Sequence, residues 1–385
     1  MRICHVTTVH ARRDPRIFAK QARSAAAAGH DVTLVVADGK GDALEDGVQL
    51  RDVGKAPFGR LGRILIAPIR TFRAAVAQRP DVLHVHDPEL LPTALLVTLA
   101  SHVPVIYDVH EDNVAFVHHK AYLPGWSKRL VANVVDRVER FAARVTHVVI
   151  AERAYAKRFP YATLIANYPD LTSFHASTGN VPEELTALSE IDAPLLVYTG
   201  NVSEERGALH HARLVHLHPD VHVVSVGYTP HAVADAMRTA AGPEQDRLHL
   251  IGEDRYVDHA VLRAALQLPN AIAGLALFPR SPFYDEKELT KFFEYMAAGL
   301  PTLASDAPTW RHLLEEEARC GVTVNPRNDQ ALTRVLEAWI YHPERAYELG
   351  RNGRRIVEER YTWRAAQKPL LALYERTQRS GGPST

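Results

Sequence analysis

Two glutamates, Glu286 and Glu294, stand eight positions apart in the stretch DEKELTKFFEYMAAGLP that runs from Asp285 to Pro301. A carboxylate accepts hydrogen bonds from hydroxyls, and riboses and hexoses present hydroxyls in adjacent pairs. Phe292, Phe293 and Met296 fall at helical spacing, Gly299 suits a left-handed C-cap, and Pro301 prevents the helix from continuing. The spacing therefore puts Glu286 on the loop that feeds a helix and Glu294 about one turn in, with both able to face one cavity. A helix N-terminus offers free N–H groups and the positive end of a dipole, so Lys287 to Lys291, Thr290 included, suits a diphosphate. Lys291 adds a full charge. Diphosphate next to sugar hydroxyls is the chemistry of a nucleotide-sugar. The plainer alternative is a solvated charge run, Glu286 to Glu288, ahead of an ordinary surface helix.

Three more clusters carry usable chemistry. In HVHDPE, His84, His86, Asp87 and Glu89 gather where an apolar run stops, and in YDVHED the same holds for Asp108, His110, Glu111 and Asp112. A neutral His110 can hydrogen-bond a hydroxyl or a departing phosphate, and Asp87 and Glu111 are carboxylates placed to tune or join it. Satisfied structural hydrogen bonds are the alternative for each. A metal site built from Asp108, His110, Glu111 and Asp112 is disfavoured, because consecutive strand residues point to opposite faces. After the first apolar run, VHARRDPRIFAKQA carries His10, Arg12, Arg13, Asp14 and Arg16 but no G-x-G-x-x-G, which argues against a dinucleotide site. Asp14 and Arg16 are equally suited to capping a helix. His210, His211, His216 and His218 read as a solvated or partly packed helix face.

These clusters sit at the ends of short apolar runs: 2–8, 31–37, 81–87, 104–110 and 147–151, then 194–200, 221–227, 248–252, 273–279, 301–305 and 321–325. Helical segments alternate with them, the pattern of parallel sheets covered on both faces, where ligands bind beyond the carboxyl ends of the strands. A chain of 385 residues exceeds one compact core and suits two domains. The expected division is 1–175 and 190–360. With 46% hydrophobic and 23% charged residues the chain reads as globular. Zero net charge hides a polarity: residues 1–180 hold 23 Lys and Arg against 17 Asp and Glu, and the remainder 22 against 28.

Cys4 and Cys320 lie far apart on apolar segments and read as buried thiols. With no apolar leader at MRICHVTTV and no run long enough to span a bilayer, a cytoplasmic location is expected. Two basic helical segments qualify that. Residues 58–79 place Leu61, Ile64, Leu65, Ile69, Phe72 and Val76 along one side beside Arg60, Arg63, Arg70 and Arg73. Residues 126–144 carry Lys128, Arg129, Arg137, Arg140 and Arg144. Core packing is the favoured account of the apolar side, with weak, peripheral attachment to the inner face of the membrane through the basic rim as the alternative. No track of basic residues interleaved with exposed aromatics points to nucleic acid.

The stretch from Asp285 to Pro301, followed by PTLASD and CGVTVNP, resembles the E-x7-E donor-site region of retaining glycosyltransferases of family 4, and the resemblance extends over nearly the whole chain. It implies the GT-B fold, α/β with two doubly wound Rossmann-like domains facing a central cleft, the first for acceptor and the second for donor, and a C-terminal helix within 361–385 that packs back on the first. It implies transfer of a sugar from a nucleotide diphosphate, with retention of anomeric configuration and without metal or other cofactor. By resemblance, TGNVSEERG is the glycine turn of the donor site, with Gly200, Asn201 and the diphosphate-binding Arg206. Many relatives have an arginine where this chain has Asn201, and Lys291 is the candidate to replace that charge. Glu294 would hold the ribose and Glu286 the sugar hydroxyls. His110 resembles the histidine near the transferred sugar, and His10, Arg12, Arg13 and Arg16 fall on the acceptor-facing loop. UDP-sugars are the first-choice donors; a carbohydrate, lipid-linked or small-molecule acceptor fits, in envelope polysaccharide or glycolipid assembly. A nucleotide-sugar epimerase, a phosphorylase of the same fold and a non-catalytic sugar-nucleotide-binding subunit remain alternatives.

Overall fold

The computed structural model describes residues 1–57, 59–101, 103–114, 117, 124–175 and 181–380. Phe58, at the head of the first basic segment, the side chains of Arg60, Leu61 and Ile64, and the end of the C-terminal segment past Ser380 lie outside the described residues. The chain forms two compact units, Met1–Asn167 with Trp363–Thr385, and Tyr168–Thr362.

In the first unit the strands are β1 (Arg2–Val6), β2 (Asp31–Val36), β3 (Ala43–Glu45), β4 (Val48–Asp52), β5 (Val82–Val85), β6 (Val105–Val109), β7 (His147–Ile150) and β8 (Thr163–Leu164). They form one sheet in the order β3-β4-β2-β1-β5-β6-β7-β8. All pairings are parallel except β3 with β4, a short antiparallel hairpin at the edge. The sheet has two different faces because successive side chains alternate. One face, with Cys4, Val6, Leu83, Val85, Tyr107 and Val109, is apolar and packs under the helices Ala67–Ala77, Leu91–Ser101 and Gly125–Val145. The opposite face carries His5, His84, His86 and Asp108, all buried. The C-terminal helix Trp363–Ser380 covers it, with Trp363 Nε1 donating to Ser24 Oγ at 2.8 Å.

Core packing accounts for only part of the first basic segment. Phe72 and Ala75 are buried, whereas Leu65, Ile69 and Val76 are exposed. A break near Ile66 divides the segment into Gly59–Leu65 and Ala67–Ala77, so a single apolar stripe does not run through it.

The second unit has the strands β9 (Leu195–Thr199), β10 (His222–Thr229), β11 (Leu248–Glu253), β12 (Ala271–Ala276), β13 (Thr302–Ser305) and β14 (Gly321–Val324). They pair in parallel in the order β11-β10-β9-β12-β13-β14. The order reverses beside β9, the central strand, so the loop leaving its carboxyl end is where this topology opens a crevice. That loop begins at Gly200.

Candidate active site

The helix foreseen in the donor stretch spans Thr290–Ala298, and Gly299, at φ 74°, closes it in the left-handed region. It buries Lys291, Phe292, Phe293, Tyr295 and Met296. Burial of Lys291 is the unusual feature, since lysine is rarely buried without a partner. Its ammonium donates to the Thr199 carbonyl at 3.1 Å and lies 4.1 Å from the centre of the Tyr198 ring. Loss of water lowers its pKa, the neighbouring Arg206 lowers it further, Glu294 opposes, and the result is about 7. Lys291 and Glu294 on this helix and Arg206, remote from both in sequence, thus act on one another at the carboxyl end of β9.

Arg206 ends a short turn that follows the Gly200 loop, and its guanidinium donates to the Asn201 carbonyl at 3.4 Å. The Tyr198 hydroxyl donates to the same carbonyl at 2.8 Å, so Asn201 contributes its backbone to the cluster. Gly200 donates its N–H to Val226 at 2.9 Å, fixing the start of the loop against β10. Next to Arg206, Gly207 has φ 82°, and a Cβ there would stand 2.1 Å from the Leu277 carbonyl oxygen. His211, buried on the following helix, accepts the Leu277 N–H at 3.0 Å and is held neutral chiefly by burial. Thr290 is exposed at the helix start, Glu286 is exposed on the preceding loop, and Glu294 is half-buried.

In the first unit a cavity of about 320 Å³ gathers residues from three strand ends, among them His10, Asp87, Glu89, His110 and Glu111. Asp87 is buried and accepts from the Thr8 N–H at 2.5 Å and the Thr7 hydroxyl at 2.9 Å. His10 lies 3.3 Å from Asp87 and 3.6 Å from Asp14. Burial favours its neutral form, but hydrogen bonds to Asp14 and Asp87 prevail and raise its pKa to about 10. Burial also acts against the charge on Asp87, and His10 reverses the balance and lowers its pKa. His110 is the reverse case: burial keeps it neutral despite Asp108. With Nδ1 donating to the Asp108 carbonyl at 3.1 Å, its Nε2 accepts from His10 Nε2 at 3.0 Å. An imidazolium and a neutral imidazole thus line one cavity with the carboxylates of Asp87, Glu89, Asp108 and Glu111.

The arginines of the same loop do something else. Arg16 is buried and binds Asp108 through two nitrogens, Nε at 2.9 Å and Nη2 at 2.7 Å, with Nη1 on the Ile165 carbonyl at 2.8 Å. Buried and held by these three bonds, it braces Asp108 instead of meeting an acceptor. Asp14 caps the next helix, accepting from the N–H groups of Arg16 and Ile17 at 2.8 Å each. Arg12 is clamped to Asp38 at 2.7 Å through two nitrogens, and Arg13 pairs with Glu45 at 2.8 Å. Only His10 of the four expected acceptor-facing residues lines the cavity.

Sequence reading missed the buried chain behind this cavity. His84 Nδ1 and Tyr374 hydroxyl are 2.8 Å apart, Tyr374 and His5 Nε2 3.4 Å, His5 Nδ1 and His86 Nε2 3.0 Å, and His86 Nδ1 and Asp108 Oδ2 3.1 Å. The H-x-H spacing across the end of β5 was the available signal, because it sets His84 and His86 on one face. The pairing of β1 with β5 that adds His5 is a long-range fact. Three histidines this close, with one nitrogen each within 4.8 Å of the others, invite a metal. Their ring nitrogens are instead joined to one another, to the Tyr374 hydroxyl and to Asp108. His86, Asp108 and His110 also bring one ligand atom each within 4.8 Å. There both Asp108 oxygens already accept from Arg16.

Comparisons with known proteins bear on both units. Residues 16–163 match the family model described as "Glycosyl transferase 4-like domain", and residues 232–372 match the one described as "Glycosyl transferase-like". The chain belongs to the glycosyltransferases of GT-B type. An MMP alpha-(1->4)-mannosyltransferase of Mycolicibacterium hassiacum is 25% identical to this glycosyltransferase over 327 residues, 80% of this chain and 74% of the relative. Sucrose-phosphate synthase from Thermosynechococcus elongatus has the same fold, with a TM-score of 0.72 at 16% identity, over 98% of this chain and 99% of that one. So does Anabaena HepE in complex with UDP-glucose, with a TM-score of 0.70 at 15% identity, over 97% and 100%.

Proposed function

We propose that this glycosyltransferase is a retaining hexosyltransferase that takes its sugar from a UDP-sugar. The carrying observation is the cluster at the end of β9, where Lys291 is buried against the Gly200 loop beside Arg206. A buried lysine whose partners are a carbonyl and an aromatic ring is held at a cost that an incoming diphosphate would offset. Arg206 adds a planar fork suited to two phosphate oxygens. Glu294 would hold the ribose hydroxyls, and Glu286, with the exposed Thr290 N-terminus beside it, the sugar end. Support for a UDP-sugar comes from the structural neighbour with UDP-glucose bound.

Charge that develops on the departing diphosphate is stabilised by cations already in position. With Lys291 and Arg206 supplying that charge, the reaction we propose needs no metal. No side chain in either cluster is placed as an obvious nucleophile, so attack by the acceptor on the face the leaving group vacates, with the leaving phosphate taking the proton, is the mechanism proposed for retention. His10, Asp87 and His110 supply donors and acceptors for acceptor or sugar hydroxyls, with Glu111 at the rim of their cavity. A carbohydrate or lipid-linked acceptor of the cell envelope is the class we favour.

The test is thermal-shift screening against nucleotide-sugars, followed by product analysis by NMR. A ligand that binds the native state raises apparent stability by mass action. A UDP-sugar should give the largest shift and a product of unchanged anomeric configuration. Stabilisation by no nucleotide-sugar, or a product of inverted configuration, would overturn the proposal.

A further inference from the structure

The three helices on the apolar sheet face of the first unit lie side by side, Ala67–Ala77 against Leu91–Ser101 and the latter against Gly125–Val145. Each also presents apolar side chains outward. Leu99 is 75% exposed on the middle helix, and Trp126 at 81% and Phe141 at 55% stand on the third, where Leu130, Val134 and Val145 are exposed as well. On the first helix the outward residues are Ile69 and Val76. At about 100° per residue, positions 126, 130, 134, 141 and 145 form one row along the third helix. Arg129, Arg137, Arg140 and Arg144 form the adjacent row. Scattered exposed apolar residues are ordinary, but a row this long on a helix next to two others that do the same is not.

The charges of this layer point to one kind of occupant. Ala67–Ala77 carries only Arg70 and Arg73, and Leu91–Ser101 carries no charge. The acids of the third helix are paired: the partly exposed Asp136 binds Arg140 and Arg158, and the buried Glu139 binds Tyr107 and Arg158. An apolar layer edged by arginine, with its carboxylates paired, matches the boundary of an anionic bilayer, where chains bury apolar groups and headgroups pair with guanidinium. A second copy of the same layer would set arginine rows against each other. At the end of the third helix, next to Phe141 and Val145, a cavity of about 540 Å³ is lined by Arg140, Arg144, Arg158, Arg376, His147 and Tyr161 among others. It has the size and charge for a phosphate-bearing headgroup.

We propose that the outer layer of these three helices docks the first unit on an anionic lipid surface, with a lipid phosphate seated in the arginine-lined cavity at the end of Gly125–Val145. The inference does not depend on which donor the enzyme uses. The protein reports on it unmodified, because Trp126 is exposed while Trp310, Trp339 and Trp363 are buried. Mixed with vesicles of phosphatidylcholine and phosphatidylglycerol, it should co-sediment, and its fluorescence should shift to the blue and be quenched by brominated lipid. Vesicles of phosphatidylcholine alone should bind at least roughly tenfold less. Leu130→Asp with Phe141→Asp should abolish binding, and Arg137→Ala with Arg144→Ala should weaken it roughly tenfold or more. Tyr347→Asp, on the exposed surface of the second unit, should leave it unchanged. Lack of co-sedimentation and of Trp126 quenching overturns the proposal. So does equal binding to neutral vesicles, or a dimer in solution that Leu130→Asp dissolves. Saturable binding of inorganic phosphate in the cavity without vesicle binding overturns it as well and leaves a site for a soluble anion.

Discussion

At the scale of single residues, the two clusters hold protons in opposite ways, and pH separates them. Lys291 has a pKa of about 7 because burial and Arg206 outweigh Glu294. A bound diphosphate would raise that value, so the protonated lysine is the form that binds. Affinity for UDP-glucose should then be flat below about pH 7 and weaken as the pH rises above it, by up to about tenfold per unit until the bound-state pKa is reached. Calorimetry in buffers of different ionisation enthalpy should also register proton uptake. A dissociation constant that does not move between about pH 6 and about pH 8.5, or one that moves equally in Lys291→Met, would remove Lys291 from the diphosphate site. His10 has the other sign. Its pKa of about 10 lies above the unfolded value, so its contribution to stability is full below about pH 6.5 and is lost as the pH rises towards 10. Urea unfolding of the protein and of His10→Gln should show a stability gap that narrows across that window; a constant gap would mean that the ring is not charged between Asp14 and Asp87.

Among the elements, the donor helix and its loop show which features the sequence makes visible. Helical spacing, Gly299 and Pro301 specify Thr290–Ala298 locally, and the strands follow from apolar runs bounded by turn residues. The β3–β4 hairpin did not declare itself, because its short, half-exposed strands at the sheet edge carry as many charges as a loop would. Arg16 misled for a related reason: a charged residue on a strand-end loop reads as exposed unless its partner is known, and Asp108 is supplied from 92 positions away. Contact between Lys291 and Thr199 is equally remote in sequence, although Lys291 itself was picked out by its place at a helix start. Gly207 tests the loop as an element. Alanine there would combine a left-handed φ of 82° with a Cβ 2.1 Å from the Leu277 oxygen. Gly207→Ala should cost more than about 1 kcal/mol of stability. Displacement of Arg206 should also weaken UDP-glucose binding roughly tenfold or more, since a lost charged hydrogen bond is worth about 1.5–3 kcal/mol. Calorimetric titration of a folded Gly207→Ala protein checks it, and donor affinity equal to the parent's would show that the turn does not aim Arg206.

For the whole molecule, the order in which the chain visits its two units matters most. It leaves the first after Asn167, builds the second, and returns at Trp363. The returning helix covers the polar face of the first sheet, where the hydroxyl of the buried Tyr374 closes the chain from His84 to Asp108, and Leu370 and Leu373 are buried with it. A histidine face needs such a cover: without Tyr374, imidazole nitrogens enclosed by the helix would lose their partner, and a buried polar group without one costs about 1–3 kcal/mol. The returning segment is therefore a structural part of the first unit, and damage to it should register there. Leu370→Ala, which removes a fully buried side chain, should cost about 2–5 kcal/mol. Hydrogen exchange read by mass spectrometry should show faster exchange in β1, β5 and β6, with β9 and β10 of the second unit as protected as before. Equal loss of protection in both units would show that they unfold as one, and unchanged protection in β1 and β5 would show that the returning helix contributes little to the sheet it covers.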